Sequence, residues 1–128
     1  MTIMGNDPEM MPPLTPAVFH VLLALAEGER HGYAIMREVT ETTGGRIKMG
    51  PGTLYGTIKR LLEAGWIVES ARRPDPKLDD ERRRYYQLTG MGERAVRSEA
   101  GRYDELAKLA RRKRVLGRAV PAPHAGEI

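Results

Sequence analysis

Hydrophobic residues recur at helical spacing in two segments near the start of the chain. Thr15 and Pro16 are typical of a helix start, with threonine as the N-cap and proline in the first helical position. The helix predicted from there runs until Gly28 and has five apolar positions at helical spacing: Val18, Phe19, Leu22, Leu23 and Leu25. A second helix is predicted from residue 31 or 32 to residue 43, before the glycine pair at 44–45.

The segment from Gly50 to Gly65 predicts a third helix with two dissimilar faces. Pro51 suits its first turn, where a missing N–H costs nothing, and Gly65 suits the residue just beyond its end. One stripe is apolar: Leu54, Ile58, Leu61 and Leu62. The residues off that stripe are small, polar or basic: Thr53, Tyr55, Gly56, Lys59 and Arg60. A surface helix of this kind fits a DNA major groove; the alternative is an ordinary core helix with a solvated face.

After Gly65 the pattern changes from the period of a helix to that of a strand. Residues 66–70 and 84–89 are short segments rich in strand-forming side chains, so they predict a two-stranded β-hairpin. Its loop, residues 72–83, consists almost entirely of charged residues and proline and is longer than most hairpin loops. Alternation along the returning strand puts Tyr85 and Tyr86 on opposite faces and leaves open which face is buried.

A long final helix is predicted from Gly90 to Leu116, with Thr89 as its N-cap. Its seam positions are spaced by alternating steps of four and three: Val96, Ala100, Tyr103, Ala107 and Ala110. The seam is too thin for an independent coiled coil but suits packing on a partner helix. We therefore predict that it forms a dimer contact, together with Phe19 and Leu22 of the first helix.

Three helices, a small two-stranded hairpin and a long terminal helix, in that order, predict a mostly α fold of the winged helix-turn-helix type. The expected divisions are a flexible N-terminal segment at 1–13, the winged helix-turn-helix at 14–89, a dimerisation helix at 90–116 and a disordered tail at 117–128.

Composition narrows the class of protein. The 128 residues hold 21 Lys and Arg against 17 Asp and Glu, a net charge of +4, so the distribution of charge matters more than its size. The lack of cysteine excludes a disulfide framework and is compatible with a reducing cytoplasm. The longest apolar run, residues 21–26, is too short to span a bilayer, and nothing resembles a signal peptide. These features predict a soluble, cytoplasmic protein without a membrane partner.

Five blocks of sequence carry a family resemblance: Leu14-Thr15, Leu22-Leu23-Ala24-Leu25, His31-Gly32-Tyr33-Ala34-Ile35, Gly50-Pro51-Gly52-Thr53-Leu54-Tyr55 and Arg82-Arg83-Arg84-Tyr85-Tyr86-Gln87-Leu88-Thr89. In this order they resemble the PadR family of bacterial transcriptional regulators. The resemblance runs from about Leu14 to about Leu116. It implies a DNA-binding winged helix that dimerises through its terminal helices and usually represses transcription. With a single C-terminal helix, the chain is similar to the short form of that family.

DNA contact requires cations for the phosphates and groups that reach base edges. Thr53 and Tyr55 lie in the N-terminal turns of the third helix, where a recognition helix meets bases, and either could bind phosphate instead. The resemblance favours Tyr55, which stands in the matching Gly-Thr-Leu-Tyr block. Lys59 suits a phosphate or a guanine, and Gly56 lets a backbone come close. Lys48 could reach the DNA backbone. Arg60 either contacts that backbone too or lies in solvent at the side of the helix.

The charged loop of the hairpin offers five further cations for phosphates: Arg72, Arg73, Lys77, Arg82 and Arg83. Acidic residues in the same loop would stay in water or pair with them. The alternative is a solvated loop without a partner.

No catalytic or cofactor-binding constellation is visible, so we expect no enzyme and no cofactor. His31 begins a helix and has no metal-ligand spacing to another histidine, which favours a structural role over a metal site. The leading hypothesis is a homodimeric repressor on a palindromic operator in double-stranded DNA, and the alternative is a winged helix that binds only protein. The resemblance also allows a small-molecule effector between the first and last helices, whose aromatic residues are Phe19 and Tyr103.

Overall fold

Four helices and three short strands make up the described part of the chain. The computed structural model describes residues 13–70 and 84–117. The helices are α1 (Pro16–Ala24), α2 (Gly32–Thr42), α3 (Pro51–Ala64) and α4 (Gly90–Arg112), and the strands are β1 (Arg30–His31), β2 (Ile67–Glu69) and β3 (Tyr85–Leu88). The predicted N-terminal segment and C-terminal tail lie outside the described residues except for their innermost positions, as does the charged loop.

The predicted helix starts at Thr15 and Thr89 are confirmed. The hydroxyl oxygen of Thr15 accepts a hydrogen bond from the Val18 N–H at 3.2 Å. The hydroxyl oxygen of Thr89 accepts one from the Gly92 N–H at 3.1 Å. Both bonds satisfy donors that the first turn of a helix otherwise leaves without a partner. The predicted end of α3 is also confirmed, with Gly65 in the left-handed region at φ +79°.

Two helices are shorter than predicted. α1 ends at Ala24 and α4 at Arg112, whereas the hydrophobic pattern extends to Gly28 and Leu116. After α1 the chain tightens into a turn in which the Leu25 N–H bonds to the carbonyl of Leu22 at 3.1 Å. Leu25 is only 2% exposed in that turn. It is therefore buried as it would be if the helix continued, and the hydrophobic pattern does not show where the helix ends.

The sheet has three strands, which corrects the predicted two-stranded hairpin. Its order is β1–β3–β2, and both pairings are antiparallel. β1 escapes prediction because two residues are too few to show the alternation by which a strand is recognised. Tyr86 is 5% exposed, so the core-facing side of β3 is the side that carries Tyr86.

Two residues predicted for the dimer contact belong to the core of a single protomer. Leu22 is fully buried and Val96 is 8% exposed, among residues from α1, α2, α3 and the sheet. That part of the prediction is wrong, because both side chains are already covered within one chain. Helical spacing identifies positions that are buried but does not identify the element that covers them.

α4 begins in close contact with the end of α3. The Thr89 N–H donates to the carbonyl of Trp66 at 3.0 Å, and the Thr89 hydroxyl donates to the carbonyl of Gly65 at 2.6 Å. Gly92 follows so close to Trp66 that a Cβ on it would lie 1.9 Å from the carbonyl oxygen. Only glycine fits that position. We call these four residues the α3–α4 junction.

A buried carboxylate joins α4 to the start of α1. The side chain of Glu99 is 3% exposed. One of its oxygens accepts the Leu14 N–H at 2.9 Å, and the other accepts a bond from Arg102 at 2.6 Å. A buried carboxylate requires such partners because an unpaired charge in the interior is costly. Nearby, the ring centroids of Phe19 and Tyr103 lie 5.0 Å apart, so α1 and α4 also pack through these rings.

We expect Gly92→Ala to lower the free energy of unfolding by about 3 kcal/mol, because the Trp66 carbonyl is backbone and cannot rotate aside. Urea denaturation followed by the fluorescence of Trp66 measures the change. Gly101→Ala is the matched control on the same helix, since a Cβ there meets nothing within 4 Å. The control should raise the free energy of unfolding by up to about 1 kcal/mol. Equal effects of the two substitutions would contradict the close contact.

We expect Glu99→Ala to lower the free energy of unfolding by about 2 kcal/mol, because it leaves the Leu14 N–H without its acceptor. The same denaturation experiment applies. Glu105→Ala is the matched control, since that side chain is 74% exposed and its ion pair with Lys108, at 3.5 Å, is exposed to solvent. The control should leave stability nearly unchanged. A loss as large in the control would show that the buried bond to Leu14 is not the cause.

Candidate nucleic-acid interface

α3 is divided sharply between a buried face and an exposed one. Leu54, Ile58 and Leu61 are buried as predicted, and Thr57 joins them. Thr57 tolerates burial because its hydroxyl donates to the carbonyl of Thr53 at 2.9 Å. Leu62, predicted for the apolar stripe, is 37% exposed, so the buried face is rotated toward Thr57 and away from Leu62.

The exposed face of α3 combines small and charged residues. Because successive residues advance by about 100° around a helix, residues three or four positions apart lie on the same face. The exposed members of this face are Gly52, Thr53, Lys59, Arg60 and Glu63, and Gly56 is half-buried among them. Cations precede the single acid along the helix, and the small residues at 52, 53 and 56 precede the cations. The segment from Gly52 to Arg60, ahead of Glu63, is therefore the part of α3 best suited to approach an anionic surface.

The cations around this face have no acidic partner among the residues that the structure describes. Lys48, Lys59 and Arg60 are exposed, and none of them forms an ion pair there. The guanidinium of Arg60 instead folds back along the helix, where it donates to the hydroxyl of Thr57 at 3.3 Å. A Cβ on Gly56 would lie 3.8 Å from that guanidinium, so Gly56 leaves room for it.

Tyr55 is placed differently from its predicted position on the solvent face. Its side chain is half-buried and packs against the core, and its hydroxyl oxygen is buried. The ring lies against the backbone of Gly32, the first residue of α2, where a Cβ would be 2.7 Å from the hydroxyl oxygen. The hydroxyl group thus faces α2 rather than the surface formed by Lys59 and Arg60.

Arg46 is a candidate that the sequence reasoning missed. It is exposed two residues before Lys48, in the segment that leads into α3, and forms no ion pair with any described residue. Its signal in the sequence is the pair of basic residues at 46 and 48, immediately upstream of the predicted recognition helix.

The five predicted contacts of the charged loop, Arg72, Arg73, Lys77, Arg82 and Arg83, lie outside the described residues. The strands on either side of the loop are described, and they are tied together at its base. The Ser70 N–H donates to the carbonyl of Tyr85 at 2.7 Å, and Arg84 lies 3.6 Å from Glu69 across the pair. The Ser70 hydroxyl also donates to the carboxylate of Glu29.

The remaining seam residues lie on the outer part of α4. Ala100 and Tyr103 are exposed and Ala107 and Ala110 are half-buried. Two leucines that the seam pattern missed are exposed beside Tyr103, which is 44% exposed: Leu106 is 59% exposed and Leu109 is 37% exposed. The apolar surface of this helix therefore extends beyond the predicted seam.

Within residues 13–70 and 84–117, no helix is both long enough and apolar enough to cross a membrane. The same residues contain no group of three or more histidine, aspartate or glutamate side chains that could hold a metal ion.

Known proteins resemble the chain in sequence and in fold. A family model described as the transcriptional regulator PadR-like family matches residues 21–98. A transcriptional regulator of Mycobacterium tuberculosis is 34% identical over 89 residues, which cover 70% of this chain and 77% of that protein. A protein of a Streptomyces fradiae transposon is 39% identical over 116 residues, which cover 91% of this chain but only 27% of that protein.

The fold is similar to that of Bacillus subtilis PadR, which was solved in complex with operator DNA. The TM-score is 0.54 at 20% sequence identity, and the match covers 88% of this chain and 53% of that chain. At this identity the likeness concerns the fold, whose helices and small antiparallel sheet agree with the winged helix-turn-helix predicted from the sequence.

The family match spans more than half of the chain and includes α2, α3 and the sheet. It confirms the resemblance carried by the sequence blocks around Gly32 and Tyr55. The chain belongs to the PadR-like family of transcriptional regulators, which are not enzymes.

Proposed function

We propose that the protein is a homodimeric, sequence-specific DNA-binding repressor. The observation that carries this proposal is the exposed face of α3, where Lys59 and Arg60 follow the small residues Gly52, Thr53 and Gly56 and have no acidic partner among the described residues. Positive charge that is not neutralised within the protein attracts phosphates. The operator complex of Bacillus subtilis PadR supports the same class of partner for this fold.

In this proposal the N-terminal half of α3 enters the major groove. The two glycines allow close approach, and Thr53 reaches a base edge or a phosphate from the first turns. Lys48, Lys59 and Arg60 bind phosphates, with Arg46 as an additional contact. Glu63 stays out of the groove at the C-terminal end of the helix, where repulsion from the phosphates is weakest. The cations of the charged loop bind the flanking backbone.

Two copies of the chain would present two α3 helices to a palindromic operator, about 34–36 Å apart and thus one helical turn of DNA. The exposed apolar surface of α4 supplies the contact between copies, with Tyr103, Leu106 and Leu109 as its large side chains. Burial of these side chains against a second copy would be favourable, since together they expose more apolar surface than the alanines of the seam.

A small-molecule effector is a further part of this hypothesis. A planar molecule, however, does not fit between the rings of Phe19 and Tyr103 of one protomer. Their ring centroids are 5.0 Å apart. A flat ligand between two rings requires about 7 Å, twice the usual contact distance between carbon atoms. An effector would therefore bind elsewhere or separate these rings.

The proposal predicts tight binding to DNA from immediately upstream of the gene and weak binding to shuffled DNA. Fluorescence anisotropy over a salt series measures both. Neutralisation of roughly 6–10 phosphates per dimer should make the affinity fall steeply as salt increases. Equal, weak binding to both DNAs would favour the alternative, a winged helix that binds only protein.

Within that experiment, we expect Lys59→Ala to weaken binding to all sequences and to reduce the magnitude of the salt slope by about 1 per protomer, because one phosphate contact is lost. Lys108→Ala is the matched control, since Lys108 is an exposed lysine of α4 that pairs with Asp104 at 3.3 Å. The control should leave the affinity and the slope unchanged. An unaltered slope in Lys59→Ala would refute the phosphate contact.

We expect Leu106→Glu to raise the dissociation constant of the dimer by roughly a hundredfold, because both copies lose a buried leucine and gain a charge. Sedimentation equilibrium measures the constant. Val68→Glu is the control, since Val68 is an apolar residue that is 44% exposed on a different element, β2. A dimer equally weakened by both variants, or by neither, would exclude the proposed contact.

A further inference from the structure

Two of the sequence blocks that define the family resemblance meet in space. Gly32 belongs to the block at 31–35 and Tyr55 to the block at 50–55, and the ring of Tyr55 lies on the backbone of Gly32. A Cβ on Gly32 would be 2.7 Å from the hydroxyl oxygen of Tyr55, 2.8 Å from Cε1 and 3.1 Å from Cζ. These distances are well below ordinary contact between heavy atoms. The ring therefore occupies the space that any side chain at position 32 would fill.

Gly32 stands at the point where β1 becomes α2, and His31 before it contacts both the helix and the sheet. The Nδ1 atom of His31 accepts the Ala34 N–H at 3.1 Å and so caps α2. On the other side, His31 pairs with Tyr85 in the sheet, and their ring centroids are 5.4 Å apart. Contacts therefore run without a break from Tyr55 on α3, through Gly32 and His31, to Tyr85 at the start of β3.

We propose that the contact between Tyr55 and Gly32 sets the position of α3 relative to β3. This inference rests on the proposed function, in which α3 and the loop preceding β3 contact DNA together. Both elements must fit one duplex, so their separation has to be fixed before binding. Tyr55 is in this sense a positioning residue: it acts on DNA recognition through α3 and does not touch a base or a phosphate itself.

The contact resists simple relaxation. The hydroxyl oxygen and Cζ of Tyr55 lie on the axis about which the ring turns, so a rotation of χ2 does not move them away from Gly32. A change of χ1 is restricted on a helix, where one of the three staggered positions clashes with the preceding turn. Added volume at position 32 should therefore shift α3 itself by about 1 Å, the distance needed to restore ordinary contact.

The first test uses the protein without DNA. Amide NMR spectra of Gly32→Ala should show shifts in α3, at Gly56, and in β3, at Tyr85, that Tyr55→Leu in the same chain largely reverses. Gly90→Ala is the matched control: Gly90 is also the first residue of a helix after its N-cap, and a Cβ there meets nothing within 4 Å. Its shifts should stay near the start of α4. Shifts of Gly32→Ala confined to residues near position 32 and to the Tyr55 ring would overturn the proposal.

The second test measures binding to the operator. Gly32→Ala should lower the affinity about tenfold with an unchanged salt slope, since no phosphate contact is removed, and Tyr55→Leu should partly restore the affinity of Gly32→Ala. Tyr55→Phe should keep the affinity within about twofold, because the missing hydroxyl makes no base contact worth 1–3 kcal/mol. A loss of specificity in Tyr55→Phe, with the NMR spectrum of β3 unchanged, would make Tyr55 a direct contact and overturn the proposal.

The two tests separate this inference from the proposed function. If the unaltered protein shows no preference for its upstream DNA, the repressor proposal fails. The NMR comparison of Gly32→Ala with Gly90→Ala still decides whether Tyr55 couples α3 to β3. If the Gly32→Ala variant does not fold, the double variant Gly32→Ser with Tyr55→Leu replaces it in both tests. That double variant should resemble Tyr55→Leu alone, and a spectrum of β3 that differs strongly from it would overturn the coupling.

Discussion

The backbone contact between Gly92 and Trp66 determines how α4 is placed relative to α3 and the sheet. Gly65 caps the end of α3 and β3 leads into Thr89, so α3, the sheet and α4 all meet at this point. The contact is made by a carbonyl group and not by a side chain, so a change of rotamer cannot relax it. The direction in which α4 leaves the core is therefore fixed relative to α3. Any dimer formed through α4 inherits that direction and with it the separation of the two α3 helices.

The distribution of charged residues over the protein is not one that its stability requires. Arg30 pairs with Glu38 at 3.2 Å, and the hydrogen bond from Lys108 to Asp104 raises the pKa of Lys108 above its ordinary value. Ion pairs that stay accessible to water contribute little to folding. They do change the electrostatic field, because they neutralise cations on β1 and α4, whereas the described cations next to α3 are left without acids. A modest net charge thus becomes a local positive surface on α3.

The sequence predicts those features of the fold that depend on neighbours along the chain. Thr15, Thr89 and Gly65 act through groups within a few residues, so the helix ends that they set are predicted correctly. β1 depends on pairing with a strand more than fifty residues away, and two residues carry no pattern of their own. Leu22 fails for a related reason, because its spacing shows that it is buried but not whether residues of the same chain or of another copy cover it. The exposed cations of α3 are predicted better, since a charged residue on a helix opposite an apolar stripe faces solvent in almost any packing.

Tyr55 shows most clearly where periodicity stops being informative. It lies on the border between the two faces of α3, where the angle around the helix assigns it to neither core nor solvent. Its position is decided by the lack of a side chain on a different helix, at Gly32, and no count of residues along α3 contains that information. A glycine in one block of sequence and an aromatic ring in another are in this case two parts of one contact. The requirement for glycine at position 32 then follows from the ring that lies against it.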